Sequence, residues 1–89
     1  MEFEWDENKR SANLGKHGLD LLRGTELFDD RRAYVYPSPR ADEQRFVTAA
    51  LLDGSFVALV WTKRGSVTRL ISLRRARNAE ETTYRSLYP

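Results

Sequence analysis

A chain of 89 residues with no cysteine and one histidine makes a single domain with a small core, and it excludes a disulfide framework, a thiolate metal site and a zinc centre built on imidazoles. The formal net charge of +2 hides an asymmetry: residues 1–30 carry eight acids and four bases, and residues 31–89 carry five acids and eleven bases, so the later two thirds suit a polyanionic partner. No apolar run is long enough to span a membrane, and the acidic, aromatic start from Met1 to Asp6 is unlike a signal peptide, so a cytoplasmic location is expected.

Asp6 is placed as an N-cap and predicts a first helix running to about His17. Glu7 suits the positive end of that helix, Lys16 and His17 suit its negative end, and Gly18 supplies the stop. Leu14 is its main apolar residue, with Phe3 and Trp5 packing back over it. Asp20 caps a second predicted helix to about Phe28, whose buried face is Leu21, Leu22, Leu27 and Phe28. Gly24 weakens that helix by about 1 kcal/mol relative to alanine. The apolar period then shortens to that of strands. Ala33 to Tyr36 is a short strand closed by Pro37-Ser38-Pro39, and Gln44 to Leu52 is a second. Asp53-Gly54 reads as a two-residue hairpin turn into a third strand, Ser55 to Lys63; Arg64-Gly65-Ser66 turns into a fourth, Val67 to Leu73. Asn78, with Glu81 three residues on, starts a last helix to about Leu87. The expected fold is α+β: two N-terminal helices, a four-stranded antiparallel meander and a C-terminal helix. The third strand is apolar on both faces, with Phe56, Ala58 and Val60 on one and Val57, Leu59 and Trp61 on the other. Both faces therefore need cover, one from helices and the other from a second chain.

The densest chemistry lies at the end of the fourth strand. Arg69 and Arg74 are candidate phosphate clamps, because a guanidinium is always charged and its planar fork matches phosphate oxygens. They stand five residues apart, so on a regular strand they face opposite ways; both serve one site only if the strand ends or bends near Leu73, and Arg75 otherwise replaces one of them. Arg45 on the second strand adds positive charge, while Glu43 and Glu80 are acids against which these arginines can pair instead. His17 is the candidate general base or acid, since imidazole is the side chain that titrates near neutrality in water; its place in a last helical turn is equally that of a C-terminal capping cation. Lys16 beside it is a candidate phosphate contact, and Ser72 can orient a phosphate but has no acid–base partner that would make it a nucleophile. Glu80 and Tyr84 are further proton-transfer candidates if the last helix packs beside the fourth strand. No metal or cofactor is expected. This set suits RNA cleavage in which the ribose 2′-hydroxyl attacks the adjacent phosphorus while cations stabilise the phosphate oxygens.

The residues resemble the BrnT toxins of type II toxin–antitoxin systems. The likeness rests on Phe3-Glu4-Trp5-Asp6, Lys9, Asn13-Leu14, Lys16-His17-Gly18, Phe28-Asp29-Asp30, Arg45-Phe46-Val47-Thr48, Thr62, Arg64-Gly65, Arg69, Ile71-Ser72, Arg74-Arg75-Ala76, Glu80 and Tyr84, in that order along nearly the whole chain. It implies a RelE-like ribonuclease fold and inhibition of translation by RNA cleavage. It also implies neutralisation by a BrnA-type antitoxin whose ribbon-helix-helix region binds DNA, with a dimer or a 2:2 complex open. The chain departs from the pattern at Leu22, Ala50, Trp61, Leu73 and the Asn78 cap. Leu73 adjoins the proposed clamp and is the departure expected to alter its geometry. The competing reading is a non-catalytic module of the same fold that binds nucleic acid or a protein partner; a third is a toxin inactivated through Leu73.

Overall fold

In the computed structural model, which describes residues 1–89, the organising element is one mixed five-stranded sheet. Its strands are β1 (Glu2–Glu4), β2 (Tyr34–Pro37), β3 (Arg45–Leu52), β4 (Ser55–Arg64) and β5 (Val67–Arg75), in the spatial order β1-β5-β4-β3-β2. Helix α1 (Glu7–His17) and a 3₁₀ segment (Leu21–Phe28) lie between β1 and β2, and helix α2 (Asn78–Leu87) closes the chain. The α+β class and the β2–β5 meander agree with the sequence reading, but the sheet has a fifth strand and is not all antiparallel. The segment before α1 does more than pack over that helix. Glu2, Phe3 and Glu4 pair in parallel with Val67, Thr68 and Arg69, and Phe3 joins the core from that edge.

Local signals place the turns and caps. The Asp6 carboxylate accepts from the backbone N–H groups of Asn8 (2.8 Å) and Lys9 (3.2 Å). Gly18 ends α1 in the left-handed region at φ 67°, and its N–H donates to the Leu14 carbonyl. Asp53 and Gly54 are both left-handed (φ 51° and 78°), as a type I′ turn requires, and they set the register in which Leu52 faces Ser55. The second predicted helix forms as a 3₁₀ segment capped by Asp20. Gly24 is a close-approach residue within it, because a Cβ there would come within 2.6 Å of Leu59 Cδ1. The last helix is capped one residue earlier than predicted. Arg77, rather than Asn78, is the N-cap, and Glu80, rather than Glu81, accepts from its N–H at 2.7 Å.

The core lies on one face of the sheet, between the strands and the 3₁₀ segment. Leu21, Leu27, Ala50, Leu52, Val57, Leu59, Leu70 and Leu73 form it, each 5% exposed or less. Leu73 therefore points away from the arginine-bearing face and fills the core. Truncating it to alanine would cost about 2–5 kcal/mol in stability, so it is not the residue that reshapes a clamp. Leu14, the main apolar residue of α1, is 54% exposed; the buried residue of α1 is Asn13. The opposite face is covered at one end by α2, where Tyr84 packs edge-on against Phe56 (5.1 Å between ring centroids) and tilts against Tyr88 (5.0 Å). The rest of that face stays open. No helix is long and apolar enough to cross a membrane.

Candidate active site

A bulge decides where the arginines of β5 go. Val60 faces Ser72 on β5 while Trp61 faces Leu70, so Ile71 is an extra residue in the ladder. Beyond it Arg74 faces Ala58, and before it Arg69 faces Thr62. Ala58 and Thr62 share a face of β4, so the bulge brings both arginines to one side of the sheet despite their odd spacing. They do not meet. Four residues of strand separate the two positions, about 13 Å at 3.3 Å per residue. Arg69 is held at the far end by Glu4 (3.7 Å), and Glu4 belongs to a string of ion pairs that continues through Arg64 and Glu43 to Arg45.

The open face forms a cleft of about 670 Å³ between the end of α1 and the start of α2. Val47, Val60 and Ile71 supply its apolar floor. Lys16, His17, Arg40, Arg45, Arg74 and Arg77 line it together with Tyr36, Ser38, Pro39 and Ser72, and no carboxylate does. Of the residues singled out in the sequence, the fold gathers Lys16, His17, Arg45, Ser72 and Arg74 here. It leaves out Arg69, held by Glu4; Arg75, exposed on the opposite face beside Val57; and Tyr84, buried beneath α2 against Phe56. It adds three residues that local sequence does not reveal. Tyr36 comes from an edge strand and Arg77 from the cap of α2. Arg40 comes from a small hairpin in which Arg40 and Glu43 exchange both backbone hydrogen bonds at 2.9 Å. Lys16, Arg40 and Arg77 take part in no ion pair, so their charges are uncommitted.

Beneath the cleft wall sits Glu80, 4% exposed. Its carboxylate accepts from Arg74 Nη1 (2.8 Å) and Nη2 (2.9 Å), from the Arg77 backbone N–H (2.7 Å) and from the Tyr36 hydroxyl. Burial alone would raise its pKa, but the hydrogen bonds from Arg74, Arg77 and Tyr36 outweigh it and hold the carboxyl at about 2. Glu80 is thus a fixed anion whose lone pairs are occupied, and a poor proton carrier near neutral pH. What it does is orient Arg74 and Tyr36. Burial and then the bond to Glu80 raise the Tyr36 pKa, which keeps that hydroxyl a donor. Arg74 spends one hydrogen of each terminal nitrogen on Glu80 and a second from Nη1 on the Arg75 carbonyl (3.3 Å). The Nε–H and one Nη2 hydrogen remain uncommitted.

A stability signature follows. The folded pKa of Glu80 is depressed below its ordinary 4.5, so in the window between about 4.5 and about 2 the unfolded chain binds the extra proton. The contribution is present above that window and is lost as pH falls through it. Acid unfolding followed by circular dichroism should show this slope in the native protein, and Glu80→Gln should reduce it, with the remainder coming from carboxylates such as Asp29, which Arg31 also holds at about 2.

The residues of the cleft span positions 16–77 of the chain. A family model described as "Ribonuclease toxin, BrnT, of type II toxin-antitoxin system" matches residues 5–80, which contain all of them and Glu80. The chain belongs to the BrnT family. It is a ribonuclease toxin of a type II toxin–antitoxin system, with the RelE-like fold, and its partners are an RNA substrate and an antitoxin. No curated protein sequence matches the chain. No group of three or more His, Cys, Asp and Glu side chains is arranged to hold a metal ion.

Proposed function

We propose that the cleft between α1 and α2 is where this toxin cuts RNA, with the scissile phosphate against Arg74, Lys16 and Arg77 and the 2′-hydroxyl toward His17. The observation that carries this reading is a concave surface lined by five Lys and Arg side chains and no carboxylate, together with the only imidazole of the chain. Arg74 offers its free Nε–H and Nη2 hydrogen to a non-bridging oxygen, pre-oriented by Glu80, so little reorganisation accompanies charge development. Lys16 and Arg77 add charge from the two rims. Imidazole is suited to accept the 2′-hydroxyl proton near neutral pH. The oxygen attacks phosphorus, the 5′-oxygen leaves against the same cations and is protonated from solvent, and the products are a 2′,3′-cyclic phosphate and a 5′-hydroxyl. The Ser72 hydroxyl orients the phosphate, and Arg45 and Arg40 guide the strand onward.

The neutralising partner in this reading is a BrnA-type antitoxin with a DNA-binding ribbon-helix-helix region. Support comes from the family and from the open basic face, which an antitoxin segment can occupy in place of RNA. Light scattering on the toxin with the product of the adjacent reading frame tests the pairing and its stoichiometry.

Purified protein should cut single-stranded RNA in EDTA and leave a cyclic phosphate end. Binding of a 2′-O-methyl RNA should weaken with salt, and Lys16→Ala, Arg40→Ala and Arg77→Ala should each lower the logarithmic salt slope by about 0.7, the single-strand value per neutralised phosphate. Salt-dependent binding without any cleavage would instead support a non-catalytic module.

A further inference from the structure

We propose that Asn13 is a positioning residue of the ribonuclease site: by clamping the backbone of Leu73 it fixes Lys16 and His17 against Ser72 and Arg74. The inference rests on the reading that the cleft binds RNA. Asn13 is the buried residue of α1, 6% exposed. Its Nδ2 donates to the Leu73 carbonyl (2.9 Å) and to the Leu19 carbonyl (2.8 Å), and its Oδ1 accepts from the Leu73 N–H (2.9 Å). The two bonds to Leu73 are those a neighbouring strand would make. On this edge β1 pairs only with Val67 to Arg69, so at Leu73 the ladder has no strand partner and the amide of Asn13 takes its place.

The consequence for the site is geometric. Lys16 and His17 lie three and four residues beyond Asn13, on the same side of α1. Ser72 and Arg74 flank Leu73. One side chain therefore ties the helical turn that carries the first pair to the strand position that carries the second. Asn13, Lys16, His17, Ile71 and Ser72 line a common groove at this seam. No other side-chain hydrogen bond or ion pair joins α1 to β5. The remaining tether, to Leu19, fixes the turn that follows the helix. Without the clamp, the end of α1 loses its register on β5 while the core, on the other face of Leu73, stays packed.

The test is a double-mutant cycle on cleavage of a mixed-sequence single-stranded RNA, with each variant assayed where it is folded. Asn13→Ala should lower kcat/KM roughly 100-fold, the scale of a misplacement near 1 Å. It should also shift the imidazole signal of the only histidine in the NMR spectrum. His17→Ala should cost far less in the Asn13→Ala background than in the native protein, because the imidazole is already displaced. Leu27→Ala, a core change remote from the cleft, should lower Tm while leaving kcat/KM and the imidazole signal as in the native protein. If Asn13→Ala does not fold, Asn13→Asp keeps the size and one acceptor, loses both donated bonds, and should show the same shifts. Native kcat/KM and an unmoved imidazole signal in the Asn13 variant, or strictly additive losses, would overturn the proposal. Lack of effect of Lys16→Ala and His17→Ala in the native background would overturn the cleft assignment itself, and the positioning role with it.

Discussion

Replacing Arg74 by alanine should cause the largest single loss in this protein, in cleavage and in stability together. Two effects combine. A positioned donor to the phosphate is removed, which in comparable oxyanion sites costs about 10²–10³ in rate. In addition, Glu80 is left ionised beneath the cleft wall without the bidentate partner that opposes its desolvation. Removing one member of a buried ion pair costs about 3–5 kcal/mol, a large share of what so small a domain has. The two losses separate experimentally. Arg74→Lys keeps a charge facing Glu80 and should retain most of the melting temperature, but it lacks the fork that grips carboxylate and phosphate at once and should still cut poorly. Arg69→Ala is the contrast. Arg69 sits with Glu4 at the far end of the sheet, so its loss should leave cleavage within a few-fold of native, about the size of a surface change. Melting curves and single-turnover cleavage of the three variants decide the matter. Equal damage from Arg69→Ala and Arg74→Ala would place the phosphate elsewhere on β5.

His17→Ala should come next, with a loss of about 10²–10⁴ in kcat, the usual worth of a positioned general base. The effect should fall on kcat more than on RNA affinity, because Lys16, Arg40 and Arg77 carry the binding charge. Stability should change little, since His17 is half-buried at the end of α1 and makes no side-chain hydrogen bond or ion pair. Single-turnover cleavage and RNA binding of the variant separate the two roles. Reduced binding with native single-turnover kcat would make His17 a phosphate contact only.

What could be read from the sequence was what local chemistry controls. Asp6 and Gly18 bound the first helix, and Asp53-Gly54 set the central hairpin, because each depends on a few neighbouring atoms. What escaped depends on partners distant in the chain. Glu2–Glu4 is too short to show a strand period, and it becomes a strand only by pairing in parallel with residues more than sixty positions away. The second helix tightens to a 3₁₀ segment while Gly24 lies against Leu59. The cap of α2 moves to Arg77 since Glu80 is drawn to the Arg74 guanidinium, whereas the spacing alone favoured Asn78 and Glu81.

The site divides in the same way. Arg74, Ser72, Arg45, Lys16 and His17 were visible as residue types near strand and helix ends. The bend that the two arginines required exists, but it is a bulge at Ile71, and it leaves Arg69 remote from Arg74. Tyr36, Arg40 and Arg77 carry no motif, and they converge only through the sheet order. Glu80 was legible as an acid near arginine, yet its work as a fully occupied anion became apparent only with its four donors in place.

The central claim is that the phosphodiester lies between the end of α1 and the start of α2. Chemical-shift mapping with a 2′-O-methyl RNA, which binds but lacks the attacking hydroxyl, tests it most directly. The predicted result is a perturbed set centred on Lys16, His17, Ser72, Arg74 and Arg77, with Arg69, Arg75 and Tyr84 quiet. Perturbations centred instead on Glu4, Arg64 and Arg69, with His17 unmoved, would contradict it.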